Sequence, residues 1–90
     1  SLIVPLDGSR ATLMSLLIGK SFQGQGLGRI LLEQAIKSAA ESSWKTLELS
    51  VAPDNAAAIK LYKQAGFSVI ETIQDYLGPS EDRLIMSRAL

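Results

Sequence analysis

The residues best suited to do chemistry form a glycine-rich segment, Gln23-Gly24-Gln25-Gly26-Leu27-Gly28. The apolar run before it, residues 13–18, predicts a strand, and the residues from Arg29 onward predict the start of a helix. A glycine-rich turn that opens a helix leaves backbone N–H groups unpaired and places the positive end of the helix dipole beside them. The segment therefore predicts a site for a phosphorylated ligand.

Two common phosphate-binding loops fail on spacing. A mononucleotide P-loop needs a lysine and then serine or threonine after its last glycine, whereas Arg29-Ile30 follows Gly28. A dinucleotide fingerprint needs Gly-x-Gly-x-x-Gly, and counting from Gly24 places Arg29 at the last position. A nucleotide-binding module of another family is therefore disfavoured, and the pattern that remains is Gln-x-x-Gly-x-Gly.

Two further segments accompany this loop in the chain. They are Asn55-x-x-Ala58-x-x-Leu61-Tyr62-x-x-x-Gly66-Phe67 and Gly78-x-x-Glu81-Asp82-x-x-Ile85-Met86. With the loop, they resemble the GNAT superfamily of acyl-CoA-dependent N-acetyltransferases, whose pyrophosphate loop is (Gln/Arg)-x-x-Gly-x-(Gly/Ala) between a central strand and a helix. The similarity runs from about residue 11 to the end of the chain.

The resemblance implies that the chain binds acetyl-CoA as the acyl donor. Backbone groups of Leu16, Leu17 and Ile18 would then run beside the pantetheine arm, where the family's central strands splay apart. The amide of Asn55 would also contact this arm, although an N-cap of the following helix is an equal alternative. The loop that would hold the pyrophosphate comprises Gln23, Gly24, Gln25, Gly26, Leu27, Gly28 and Arg29.

Catalytic groups follow from the same resemblance. Tyr62 would face the CoA sulfur and protonate the leaving thiolate, and the alternative is an aromatic packed beside Phe67. A general base is harder to find, because residues 12–18 contain no carboxylate. Glu48 is a candidate, but we favour a solvated strand face for it. Water or a group outside this chain remain equal alternatives.

Hydrophobic periodicity predicts the element order β-β-α-β-α-β-β. We expect strands near residues 2–6 and 11–18, a helix over 28–41, a strand over 46–51 and a helix over 56–65. Asn55 would be the N-cap of the second helix and Gly66 its C′ residue. A strand from residue 67 and another over 83–87 would close an antiparallel hairpin. The predicted fold class is α/β, or α+β in the broad sense, with a mixed twisted sheet and two crossover helices.

Composition excludes several classes of function. The 90 residues contain no cysteine and no histidine, so thiol catalysis, a serine triad and the usual metal ligands are excluded, and we expect no metal site. Nine basic and nine acidic residues are interspersed, which argues against nucleic-acid binding. With no secretory signal and no apolar stretch near the roughly 20 residues of a membrane span, we expect a cytoplasmic protein that does not bind membranes.

The chain begins at Ser1, and only about ten residues precede the central strand. The resemblance therefore implies a single GNAT-like domain over residues 1–90 that lacks the usual N-terminal elements on the acceptor side. A homodimer or a companion N-terminal segment could supply them, since exposed sheet edges favour pairing. We expect transfer of acetyl from acetyl-CoA to a small-molecule or peptide amine by direct attack in a ternary complex. The alternative is a non-catalytic acyl-CoA-binding or regulatory module.

Overall fold

A computed structural model of the chain describes residues 2–14, 27–76 and 78–90. Seven elements appear in the predicted order, so the β-β-α-β-α-β-β interpretation is confirmed. They are β1 (Leu2–Pro5), β2 (Arg10–Met14), α1 (Leu27–Ala40), β3 (Thr46–Val51), α2 (Ala56–Gln64), β4 (Ser68–Ile73) and β5 (Arg83–Ala89). The second half of the predicted strand over 11–18, from residue 15 onward, lies outside the described residues.

The strands form one five-stranded sheet in the order β1-β2-β3-β5-β4. β2 and β3 are parallel, and the other neighbouring pairs are antiparallel. The mixed sheet and the terminal antiparallel hairpin are thus as predicted. A register shift between Val69 and Glu71 marks a bulge in β4, which is an edge strand.

Both helices cover the same face of the sheet. The register places Ala11 beside Leu47 and Leu49 beside Met86, so these side chains share one face. The same buried core contains residues of both helices, Leu32 and Ala35 of α1 among them. The steps from β2 to β3 and from β3 to β4 run in the same direction across the sheet, and the usual right-handed sense of such connections places both helices on one side. The other face carries no helix among the residues described.

Local chemistry fixes both ends of α2. The Asn55 side chain accepts a hydrogen bond from the backbone N–H of Ala58 at 3.2 Å, which confirms it as the N-cap. Gly66 follows the helix with a φ of +94°, a left-handed conformation that favours glycine. A Cβ at this position would stand 3.0 Å from Nε of Arg88, so a larger residue would have to displace the Arg88 side chain. The sequence therefore predicts the boundaries of α2 to within one residue of those observed.

Across the described ranges, no helix is both long and apolar enough to span a bilayer.

Candidate functional site

Most of the predicted cofactor loop falls outside the described residues. The same holds for the strand residues predicted to line the pantetheine arm. The predictions that lie there concern Leu16, Leu17, Ile18, Gln23, Gly24, Gln25 and Gly26. They stay predictions.

The end of the predicted loop forms the first turn of α1. Leu27, Gly28 and Arg29 are helical, so the glycine-rich segment leads directly into a helix as predicted. Arg29 is exposed and pairs with Glu33 one turn later, Nε to Oε1 at 3.1 Å. The first turn of α1 contains no acidic residue. The positive end of its dipole is therefore not offset by a carboxylate of its own first turn.

Asn55 uses one end of its carboxamide for the fold. Oδ1 accepts the hydrogen bond from Ala58, and within the described chain Nδ2 donates to no other residue. Asn55 is half-buried, at the junction between β3 and α2. The N-cap role predicted for it is confirmed, and a donor remains for a ligand beside α2.

Tyr62 is a buried aromatic residue whose hydroxyl forms no hydrogen bond with any described residue. Its side chain is 6% exposed and packs against Phe67, with ring centroids 6.2 Å apart and ring planes at 59°. The packed-aromatic alternative is thus correct as far as the ring is concerned. Between the described residues, no hydrogen bond involves the Tyr62 hydroxyl. Burial raises the pKa of Tyr62 and keeps this hydroxyl protonated at neutral pH.

The expectation that Glu48 lies on a solvated strand face is wrong. Glu48 is 9% exposed, and Nη1 of Arg10 donates to its Oε2 at 3.1 Å. β3 is the central strand, so its neighbours enclose even the side chains that point away from the helices. Alternation within β3 identifies the face of Glu48, but it does not reveal how much of that face is enclosed.

Arg10, which no sequence pattern singled out, links two carboxylates. Its Nε donates to Oδ2 of Asp7 at 2.8 Å while Nη1 reaches Glu48. Oδ1 of Asp7 also accepts from the backbone N–H groups of Ser9 and Arg10, both at 2.8 Å. These bonds, that of the Arg10 side chain foremost, hold the pKa of Asp7 well below its usual range. The Asp7-Gly8 turn was visible in the sequence, but the β2–β3 register that brings Arg10 to Glu48 was not.

A cavity of about 240 Å³ separates α1 from α2. Arg88 is one of its lining residues, and its Nε donates to the carbonyl of Ala65 at 2.9 Å, which ties the end of α2 to β5. The cavity is smaller than typical pockets for drug-sized ligands, so it admits only a part of a CoA-sized molecule. Its lining is formed by Arg29, Leu32, Glu33, Ile36, Leu61, Gln64, Ala65 and Arg88.

A sequence model of the Acetyltransferase (GNAT) family matches residues 2–67, from β1 to the end of α2. The chain belongs to this family. The resemblance stated from the loop and from the Asn55–Phe67 segment is thereby confirmed.

Among GNAT relatives, the ribosomal protein bS18-alanine N-acetyltransferase of Escherichia coli K12 is 39% identical over 80 residues. The match covers 86% of this chain and 54% of the relative, so the chain spans about half the length of that protein. A crystal structure of the E. coli enzyme superposes with a TM-score of 0.75 at 38% identity, covering 89% of this chain and 54% of that one.

A more distant GNAT structure supports the fold alone. An acetyltransferase from Elizabethkingia anophelis, solved with acetyl-CoA bound, gives a TM-score of 0.87 at 19% identity. It covers 98% of this chain and 65% of its own length. The arrangement of α1, α2 and the five strands is therefore a GNAT arrangement.

Proposed function

We propose that this chain is the acetyl-CoA-binding part of an N-acetyltransferase, which transfers acetyl to a primary amine by direct attack in a ternary complex. The observation that carries the proposal is a pair of polar side-chain groups at α2, in a chain that belongs to the GNAT family. Asn55 and Tyr62 lie on one helix, seven residues apart, and each keeps a polar group that no described residue uses. Nearly two turns separate them, about 10 Å along the axis, which suits an extended ligand beside the helix.

Different groups of the chain would then contact different parts of acetyl-CoA. Backbone N–H groups at the Gln23–Gly28 segment and the start of α1 would hold the pyrophosphate, since several direct hydrogen bonds supplement a weak helix dipole. Nδ2 of Asn55 would donate to the pantetheine arm. Tyr62 would hold a proton on Oη for the leaving sulfur. When bound, acetyl-CoA supplies the activated acetyl thioester.

A second candidate is a non-catalytic acyl-CoA-binding module. Both candidates share the acetyl-CoA site and differ in turnover. An amine acceptor, whether a small molecule or a peptide, is needed only by the first.

Isothermal titration calorimetry with acetyl-CoA tests the shared claim. We expect saturable binding that Gly26→Ala weakens at least tenfold, because a side chain in the loop stands where phosphate oxygens approach. Gly8→Ala is the matched control, since a Cβ at Gly8 meets nothing within 4 Å. Absence of heat from a chain shown to be folded by circular dichroism would contradict the proposal. Turnover on a panel of primary amines then separates the two candidates.

A further inference from the structure

Arg88 of β5 reaches from the sheet to the end of α2. Its register partner on β3 is Leu47, a residue of the core, so Arg88 extends from the face of the sheet that the helices cover. Its Nε donates to the carbonyl of Ala65 at 2.9 Å. Among the residues that the structure describes, this is the side-chain hydrogen bond that joins α2 to the sheet. Arg88 is therefore placed to fix the end of α2 against β5.

The Arg88 side chain lies against the backbone of Gly66. A Cβ at Gly66 would stand 3.0 Å from Nε, 3.5 Å from Cδ and 3.8 Å from Cγ of Arg88. The glycine that adopts the left-handed turn, with a φ of +94°, therefore also leaves space for the guanidinium to reach Ala65. The turn and the arginine side chain fit each other.

The same turn is bonded directly to Tyr62. The backbone carbonyl of Tyr62 accepts from the N–H of Ala65 at 3.1 Å and from the N–H of Phe67 at 2.9 Å. The ring of Phe67 also packs against the ring of Tyr62. A displacement of the turn would therefore move Tyr62 through its backbone and through its ring.

The helix α2 is too short to fix Tyr62 by itself. It has nine residues, and isolated helices of fewer than about 12–15 residues are marginal in water. Asn55 caps the first turn, whereas Tyr62 lies in the last turn, so the position of Tyr62 depends on how the C-terminal end is held. A cation near the last carbonyls also interacts favourably with the helix dipole. Arg88 supplies both a hydrogen-bond donor and a positive charge at this end.

We propose that Arg88 is a positioning residue for Tyr62, the side chain that would hold a proton for the leaving sulfur. By fixing the turn at Ala65, Arg88 keeps the Tyr62 hydroxyl at the place where the CoA thiolate would form. This inference rests on the proposed function. A displacement of about 1 Å at a reacting group can lower a rate about 100-fold, so an anchor remote from the chemistry has a measurable effect.

The first test follows the tyrosine rings of the 90-residue chain by NMR, with carbon-13-labelled tyrosine and no ligand. The chain has two tyrosines, and Tyr76, which is 50% exposed, is the internal reference. We expect Arg88→Met to shift or broaden the Tyr62 resonance and to leave that of Tyr76 unchanged. Arg88→Lys keeps a donor and the charge, so it should restore the Tyr62 resonance. An unchanged Tyr62 resonance in Arg88→Met would overturn the proposal.

Amide hydrogen exchange distinguishes positioning from a loss of overall stability. Arg88→Met should accelerate exchange of the Phe67 N–H at least about tenfold, while that of the Leu47 N–H in β3 changes less than about twofold. The matched control is Arg83→Met, since Arg83 is a half-buried arginine of the same strand whose side chain donates to the carbonyl of Asp82. Equal acceleration at Phe67 and Leu47 would show a general stabilising role and refute positioning. If Arg88→Met does not fold, the shorter and uncharged Arg88→Gln replaces it.

Titration with CoA separates this inference from the proposed function. In the wild-type chain, CoA should shift the Tyr62 resonance saturably, because its sulfur would lie beside the hydroxyl. In Arg88→Met this shift should fall at least about threefold while CoA affinity stays within about twofold. In turnover on a primary amine, kcat should fall about tenfold at unchanged KM for acetyl-CoA. A wild-type Tyr62 resonance that CoA does not shift would contradict the proposed function. Equal shifts in wild type and Arg88→Met would overturn the positioning role alone.

Discussion

The two faces of the sheet differ in what their side chains are suited to do. The face of the sheet that the helices cover, called the helix face, is apolar. The largest fully buried side chains of the core between this face and the helices are Leu32, Leu47 and Met86. The opposite face, which no described helix covers and which we call the open face, carries polar side chains in its central strands. One of them, Glu48, is the buried charged residue of the described chain. β3 contributes to both faces, because successive side chains of a strand point to opposite sides.

The difference shows which face of the sheet stabilises the fold. Hydrophobic burial on the helix face supplies stabilising free energy, whereas the polar side chains of the other face contribute less of it. A shift of one residue in the β3 register would exchange the two sets, so the register is strongly specified. Substitutions on the two faces should therefore change different measurable quantities.

The largest expected effect is on stability, from the helix face. Leu47→Ala should lower the free energy of unfolding by about 2–5 kcal/mol, because it leaves a cavity in the core. Ser50→Ala, on the open face of the same strand, should change it by less than about 0.5 kcal/mol. Urea denaturation monitored by circular dichroism measures both. Similar losses in the two variants would remove the distinction between the faces.

Tyr62→Phe sharpens the comparison, because Tyr62 is a helix-face residue with a proposed chemical role. Turnover should fall about 100-fold while unfolding and acetyl-CoA binding change little, since only the hydroxyl is lost. Tyr76→Phe is the control, because Tyr76 is 50% exposed and lies beyond β4. Steady-state kinetics on a primary amine provide the measurement. Full turnover in Tyr62→Phe would eliminate the acid role.

Two substitutions of Asn55 separate its structural role from its proposed binding role. Asn55→Ala removes the N-cap and should cost about 0.5–2 kcal/mol of stability. Asn55→Asp keeps an N-cap acceptor but lacks the amide donor, so stability should be retained while acetyl-CoA binds more weakly. Thermal unfolding and calorimetry on the same samples report the two effects. Unchanged acetyl-CoA affinity in Asn55→Asp would restrict this residue to capping.

The smallest expected effect is a pH dependence that arises beside the open face. The pKa of Asp7 is depressed in the folded state, so its stabilising contribution is fully present above its unfolded pKa of about 4. That contribution is lost as the pH falls below this value. Asp7→Asn should therefore flatten the acid limb of a stability-versus-pH curve obtained from thermal unfolding. An unchanged acid limb would show that Arg10 does not hold Asp7 in solution.

Much of the fold was predictable because its signals are local. Alternation in Thr46–Val51, the Asn55 cap and Gly66 mark the boundaries of β3 and α2 directly. The enclosure of Glu48 was not predictable, because it depends on β5 inserting between β3 and β4. For the same reason, the placement of Thr12 and Ser87 on either side of Glu48 is known only once three strands are in register. Local patterns identify elements, whereas contacts between strands distant in sequence require the structure.

The position of β5 has a consequence for synthesis of the chain. β5 (Arg83–Ala89) follows the other described strands in the chain, yet it occupies an interior place between β3 and β4. Until it emerges, β4 has no partner strand and β3 has an unpaired edge on that side. The sheet therefore closes only after β5 has been synthesised, and a nascent chain released before that point would present exposed strand edges to aggregation or to chaperones.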